Sequence, residues 1–379
     1  MIFSNSITNI PDDLVLAHQE GNVVFFCGSG ISHDAGIPLF PELVGESAIR
    51  HKLSLPGEES DRLKRGECDS VYQWMEAQTG PENRSQLRRV TAKLLAPKKQ
   101  IRKKDLAYHF ALLKLATTKG KKLHLVTTNY DELFDLAAGR LKKRITSYAA
   151  PLLPVPKESK WDGLVYLHGK LKKPESEDNL KSLVLSSGDF GVAYLTERWA
   201  SRFVTELFRT YTICFVGYSA NDTIMRYILD ALAADWFNGE KPRKVYAFDG
   251  YTSGDEDKLL EQWDRKGVEV IPFKKESKDD FSELRRILTA WSDYYSLGVN
   301  GPARIILDDA VRQPTSINQE DKGRTKRVVW ALKTTDGLAA RQFSELTPTA
   351  SVEWFDVFRE LLQIVDERSR AAPFVYNLQ

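Results

Sequence analysis

Four groups of residues have types and spacings that chemistry can use, and each stands where an apolar run ends. Gly28-Ser29-Gly30 follows Val23–Cys27, an unbroken run of β-favouring residues. Glycines there present bare backbone N–H groups, which can cradle a phosphate, and a helix N-terminus beyond them would add a favourable partial charge. Asn129 and Asp131 come just past the apolar run at 123–126. A carboxamide and a carboxylate at a strand end can orient water or a hydroxyl, or can cap the helix expected over 131–138. His168 ends the run at 164–167 and titrates near neutral pH, as a general base requires. The other five histidines, His18, His33, His51, His109 and His124, read as structural. Gly217-Tyr218-Ser219-Ala220-Asn221-Asp222 follows the run at 211–216. It sets small and hydrogen-bonding groups where a phosphate or ribose can lie, with Asp222 also a candidate N-cap.

These motifs resemble, in order, those of the sirtuins, the NAD-consuming deacylases and their relatives. Gly28-Ser29-Gly30-Ile31-Ser32 with Ala35-Gly36-Ile37-Pro38 and Phe40 is similar to their nucleotide loop, and Thr127-Thr128-Asn129-Tyr130-Asp131 to their Thr-Gln-Asn-(Ile/Tyr)-Asp motif. Leu167-His168-Gly169 resembles their His-Gly, and Gly217-Tyr218-Ser219 their Gly-Thr-Ser. The resemblance spans about residues 20–290. It implies NAD as the ligand, with His168 as the base acting on water or through a ribose hydroxyl, Asn129 orienting water or ribose, and Asp131 holding the nicotinamide carboxamide. Gly28, Ser29, Gly30, Ser32, Gly217, Ser219 and Asn221 would hold phosphates and riboses, and Asp249 the adenine ribose. Ala35, Phe40, Thr128, Tyr218 and Asp222 would complete the nucleotide-binding set.

Two departures sharpen the expectation. Deacylating sirtuins usually carry a zinc module with two Cys-x-x-Cys pairs after His-Gly, but residues 170–178 contain no cysteine, and no four zinc ligands are grouped elsewhere. The family's Phe-Arg is Phe40-Pro41 here. Zinc-less sirtuin-like domains resemble bacterial anti-phage effectors that deplete NAD. The resemblance therefore implies an NAD glycohydrolase without zinc, whose partners would be a second copy, a defence-system protein such as an ATPase, or a phage-derived activator. A protein deacylase or ADP-ribosyltransferase using the same histidine, and a non-catalytic NAD or ADP-ribose sensor, remain open alternatives.

The elements that must position these groups follow from periodicity. Strands are expected at 23–27, 123–126, 164–167, 211–216, 245–248 and 268–271, alternating with helices. That alternation predicts an α/β fold, a Rossmann-like, doubly wound parallel sheet of about six strands, with a helical insertion and a mixed C-terminal extension. A short helix is expected over 11–20, a long amphipathic helix over 190–210, and another over 223–233. Residues 42–118 are helical throughout and form a candidate lid. The predicted division is a catalytic domain over 1–295 and an extension over 296–379, where Pro302, Pro314 and Pro348 punctuate short apolar pieces and an amphipathic helix covers 354–365. The extension has no assignable role and is a candidate for the beginning of a longer protein.

Composition bounds the rest. The 379 residues are 42% hydrophobic and 28% charged, which suits a globular protein with a sizeable core. Lys and Arg number 54 against 52 Asp and Glu, so no global field favours nucleic acid, and the basic run over 98–104 reads as a solvated loop. Three cysteines, Cys27, Cys68 and Cys214, exclude a disulfide scaffold. No run approaches the roughly 18 apolar residues of a membrane span, and the N-terminus lacks a basic segment followed by an apolar one, so a cytoplasmic protein is expected.

Overall fold

The computed structural model describes residues 3, 8–80, 83–97, 100–172, 176–223, 225–229, 243–277, 280–298, 300–314, 319–332 and 337–361. The chain forms two compact units. One takes Ala17–Pro272 with Glu276–Lys278, and the other takes Met1–Leu16, Phe273–Lys275 and Asp279–Gln379.

The larger unit is built on a parallel sheet of seven strands: β1 (Val23–Cys27), β2 (His124–Thr127), β3 (Ser147–Ala149), β4 (Gly163–Tyr166), β5 (Thr212–Val216), β6 (Val245–Tyr251) and β7 (Glu269–Lys274). Their order is β3-β4-β2-β1-β5-β6-β7. Every residue of β1, β2, β4 and β5 is buried, because helices cover both faces of a parallel sheet and only apolar runs tolerate that. Register fixes what happens at the strand ends. Cys27 pairs with Thr127 on one side and with Val216 on the other, and Thr127 pairs with Tyr166. The residues after these four therefore leave the sheet side by side, at the point where the chain turns from one half of the sheet to the other. Open α/β sheets bind ligands there.

Six of the strands coincide with the apolar runs. The seventh, β3, is three half-buried residues at the sheet edge, too short and too polar to show as a run. A second difference concerns 190–210. In place of one long helix the chain forms a helix over Ser187–Phe190, a π-helix over Gly191–Thr196 and a helix over Trp199–Thr210, broken by Arg198 at φ 59°. The wider π turn moves side chains off the expected stripe, so Leu195 is 72% exposed while Phe190 and Tyr194 stay buried.

The insertion is helical as expected. Labelling helices from α1 (Asp12–Gln19), it holds α2 (Phe40–Arg50), α3 (Gly57–Lys64), α4 (Cys68–Thr79), α5 (Arg84–Leu94), a 3₁₀ turn (Lys103–Leu106) and α6 (Ala107–Leu115). Tyr72 and Ser47 hydroxyls meet Thr91 Oγ1 at 2.8 and 2.9 Å, joining α2, α4 and α5. Arg88 of α5 is 1% exposed. It forms an ion pair with Glu76 at 2.7 Å and one with Asp189, and donates to the carbonyls of Leu180 and Leu183 at 3.0 and 2.8 Å. Those bonds tie the insertion to the segment that follows β4. Lys98 and Lys99 of the basic run lie outside the described residues, as do 173–175 of the cysteine-free segment and residues 224 and 230–233 of the helix expected over 223–233.

The smaller unit is helical in its described tail. Its helices are Ser282–Ser296, Asn300–Ile305, a π turn over Ile306–Ala310, Gln319–Leu332, Leu338–Ser344 and Glu353–Leu361. They enclose Trp291, Ile306, Val328, Phe343, Trp354 and Phe358, and the Trp354 indole donates to the carbonyls of Ala310 and Arg312, each at 3.1 Å. The last helix carries the amphipathic pattern expected over 354–365, of which Leu362 and Val365 lie outside the described residues. Among the described residues no helix is long and apolar enough to cross a membrane.

Candidate functional site

The site is assembled from the loops leaving β1, β2 and β5. After Cys27 the chain enters a 3₁₀ turn over Ser29–Ala35, not an α-helix, and closes it with Gly36 in the left-handed region at φ 79°. The glycines answer to their neighbours here. A Cβ on Gly28 would lie 2.7 Å from the Gly217 carbonyl oxygen and 2.8 Å from the Tyr218 ring, and one on Gly30 would lie 3.0 Å from Gly217 Cα. Gly217 itself has φ +80°, and a Cβ there would lie 2.9 Å from Ile31. Gly28 N–H donates to Val216 O at 2.9 Å and Gly30 N–H to Gly217 O at 3.1 Å, so the two loops pack backbone on backbone.

The end of β2 is pinned to the same place. Cys27 O accepts from Thr128 N–H and Thr127 Oγ1, each at 3.0 Å, and from the Tyr218 hydroxyl at 3.1 Å, while Thr128 Oγ1 lies 2.6 Å from that hydroxyl. Thr127 Oγ1 also accepts from Asn129 N–H at 3.1 Å. Asn129 and Asp131 are thereby aimed at Ser32. Asn129 Nδ2 donates to Ser32 Oγ at 3.0 Å, and Ser32 Oγ donates to Asp131 Oδ2 at 2.9 Å. Asp131 Oδ1 accepts from Leu133 N–H at 3.0 Å, so the carboxylate also holds the first turn of α7 (Leu133–Arg140). Burial raises its pKa to about 6, against the lowering effect of these donors.

Sequence reasoning set His109 aside, yet its Nε2 lies 3.4 Å from Ser32 Oγ and its Nδ1 has no partner. Burial holds it near pKa 3, neutral at physiological pH. The signal was a polar residue on the buried face of α6, between Leu106 and Leu113. A pocket opens over this cluster. Ser29, Thr128, Asn129 and Asp131 give it polar walls, and Ile37, Phe40, Leu43 and Leu95 apolar ones. Leu43 and Leu95 come from the helical insertion. Ala35 is buried in the 3₁₀ turn, and Phe40 opens α2 with Pro41 in its first turn, where the resembled family has arginine.

His168 is placed differently. It follows β4 as expected, but its side chain is fully enclosed and is not among the residues lining this pocket. Nε2 lies 2.9 Å from the Tyr194 hydroxyl, the ring meets Phe190 and Tyr194 edge-on, and Nδ1 has no partner. Burial lowers its pKa to about 3. Val184 N–H donates to His168 O at 3.0 Å and the Tyr130 hydroxyl to Val184 O at 2.6 Å, which joins this strand end to the one bearing Asn129.

The remaining candidates lie along the other half of the sheet. Ser219 and Asn221 are exposed at the end of β5, and Asp222 O accepts from Met225 N–H at 3.0 Å where the next helix begins. Asp249 lies in β6 and accepts from the Trp263 indole at 2.9 Å and from Gly250 N–H at 2.8 Å. Cys27, Cys68 and Cys214 are buried free thiols. Among the described residues no group of three or more His, Cys, Asp or Glu side chains is arranged to hold a metal ion.

Comparison with known proteins gives two findings. The chain is 30% identical over 373 residues to a protein of Sinorhizobium fredii (strain NBRC 101917 / NGR234) described as "Uncharacterized protein y4cA". The match covers 96% of this chain and 30% of that protein, so the chain spans about a third of its relative's length. From the start of β2 into β7, a stretch holding Asn129, Asp131, His168, the β5 loop and Asp249, the chain is similar to the SIR2-like domain, whose model matches residues 123–271.

Proposed function

We propose that this protein is an NAD glycohydrolase, which uses water to cleave the bond between nicotinamide and ribose and yields nicotinamide and ADP-ribose. The observation that carries the reading is the cluster in which Asn129 and Asp131 meet on Ser32 Oγ, set at the crossover point of the sheet and facing a pocket. NAD fits the chemistry there. The Gly28 and Gly30 N–H groups already donate to the Val216 and Gly217 carbonyls, so the groups that face the pocket are Ser29, Thr128, Asn129 and Asp131, and the amide and carboxylate among them can hold a carboxamide, a ribose hydroxyl or a water. As the bond breaks, positive character develops on the ribose, so a site that positions water against that carbon and keeps other nucleophiles away accelerates the reaction. The similarity to the SIR2-like domain supports NAD as substrate. We further propose a role as an NAD-depleting effector of anti-phage defence in the cytoplasm, working with a second copy or a partner protein.

The test is direct. Purified protein given NAD and no acceptor is expected to release nicotinamide and ADP-ribose in equal amounts, and Asn129→Ala to lose most of that turnover while remaining folded. Nicotinamide release only when an acylated or acceptor protein is added would show a deacylase or transferase. Tight binding without turnover would show a sensor.

A further inference from the structure

We propose that Tyr130 is a positioning residue of this hydrolysis, whose hydroxyl keeps the loop bearing Asn129 and Asp131 in register with the loop bearing His168. The assignment rests on the NAD-hydrolysis reading above and on the role of base that resemblance implies for His168. Two bonds run from Tyr130 to the chain that leaves β4. Its carbonyl accepts from Leu171 N–H at 2.8 Å, and its hydroxyl donates to Val184 O at 2.6 Å. Val184 N–H in turn donates to His168 O at 3.0 Å, which makes Val184 the bridge between Tyr130 and His168.

The bridge is held on its far side. Val184 lies outside any helix or strand, so the sheet's ladder does not fix it. Arg88 donates to the carbonyls of Leu180 and Leu183 at 3.0 and 2.8 Å, and Asp189 Oδ2 accepts from Leu185 and Ser186 N–H, each at 3.0 Å. Gly169, at φ +94°, brings the two pieces of chain together: a Cβ there would lie 2.8 Å from the Ser182 carbonyl oxygen and 3.3 Å from Leu183 Cα. The carbonyl that receives the Tyr130 hydroxyl is therefore a fixed point, and the bond to it steadies the end of β2.

Such a link is needed because the two groups do not hold each other. Asn129 and Asp131 bond to Ser32 Oγ, and His168 Nε2 meets the Tyr194 hydroxyl. Their separation is set by the strands and loops that carry them. Lys170 adds links to Asp135 and Glu132 at 2.9 and 3.7 Å, but these meet α7 and the residue before it. Tyr130 stands between Asn129 and Asp131 and lines the pocket with them. A misplacement of about 1 Å can cost on the order of a hundredfold in rate, so the smaller shift that follows loss of the hydroxyl is expected to cost about tenfold. A bond that sets the register of two groups matters only while both are present.

The experiment is kcat and KM for NAD in wild type, Tyr130→Phe, His168→Ala and the double variant, with ADP-ribose affinity and urea unfolding measured for each. Tyr130→Phe is expected to lower kcat about tenfold and to leave KM and ADP-ribose affinity within about twofold of wild type. Added to His168→Ala, the same substitution is expected to change kcat by less than about twofold. A merely structural role would cost the same factor in both backgrounds, and that result overturns the assignment. So does a wild-type rate in folded Tyr130→Phe, and either outcome leaves the hydrolysis reading intact. Should Tyr130→Phe fail to fold, Arg88→Lys, which disturbs the same anchor and leaves Tyr130 in place, is judged by the same cycle. A wild-type protein that binds ADP-ribose and cleaves no NAD overturns both.

Discussion

At the scale of single residues, the site stores a cost that a stability measurement can read. Moving a carboxyl from its ordinary 3.8 to about 6 means that burial disfavours the charged form of Asp131 by roughly 3 kcal/mol. Because the folded pKa lies above the unfolded one, the associated stability is fully present below about pH 4 and is lost as pH rises through about 6. Asp131→Asn removes the charge, so urea unfolding is expected to show the variant more stable than wild type at pH 8, by up to roughly 3 kcal/mol, with the difference gone at pH 4. A variant less stable than wild type at both pH values would mean that the bonds to Ser32 and Leu133 outweigh the buried charge. The sequence made Asn129, Asp131, Gly28 and His168 visible because each follows an apolar run, and strand ends are where such sheets do chemistry. It did not show that Ser32 joins Asn129 to Asp131, since that contact bridges 97 and 99 residues of chain. Nor did it show the enclosure of His168, which depends on a π turn and on rings brought from a separate part of the chain.

Elements carry the next layer, and Arg88 is where the insertion is fastened. Its guanidinium lies between Glu76 of α4 and Asp189, with two further bonds to the backbone of Leu180 and Leu183. Removing Arg88 takes away the buried partner of both carboxylates, a loss of about 3 kcal/mol, the lower end of the usual range because Arg84 still reaches Glu76 and Asp189 at 3.0 Å each. Arg88→Ala is therefore expected to lower unfolding stability by that amount in a urea titration, and Arg88→Lys to recover only part, because an ammonium cannot reproduce the planar fork. Stability within about 0.5 kcal/mol of wild type in Arg88→Ala would place the buried charges at no advantage over a water-filled gap. Nothing in the sequence marks Arg88 as interior, since an arginine on a helix is ordinarily solvated. β1, β2, β4 and β5 were legible because burial on both faces demands continuous apolar runs, and β6 and β7 because each still holds a short apolar stretch, buried at the start of β6 and only at Ile271 and Phe273 in β7. β3 and the break at Arg198 were not, since neither has a run, a glycine or a proline to mark it.

At the scale of the whole molecule, an enzyme that hydrolyses a central cofactor without an acceptor has to be restrained at rest. The insertion already supplies Leu43 and Leu95 to the pocket wall, so a change in its position would change access. A hundredfold switch needs roughly 2.7 kcal/mol of differential binding, which a contact between copies or with a partner can supply. Specific NAD turnover is thus expected to rise with protein concentration, and a rate per molecule that stays constant from nanomolar to micromolar protein would remove self-assembly as the control. The measurement that bears most directly on the central claim is the simplest: wild type and Asn129→Ala incubated with NAD alone, with nicotinamide and ADP-ribose followed by chromatography. The account predicts equimolar release of both products by wild type and its loss in a folded Asn129→Ala protein. Intact NAD after prolonged incubation with concentrated wild type, or equal release by the two proteins, would contradict it.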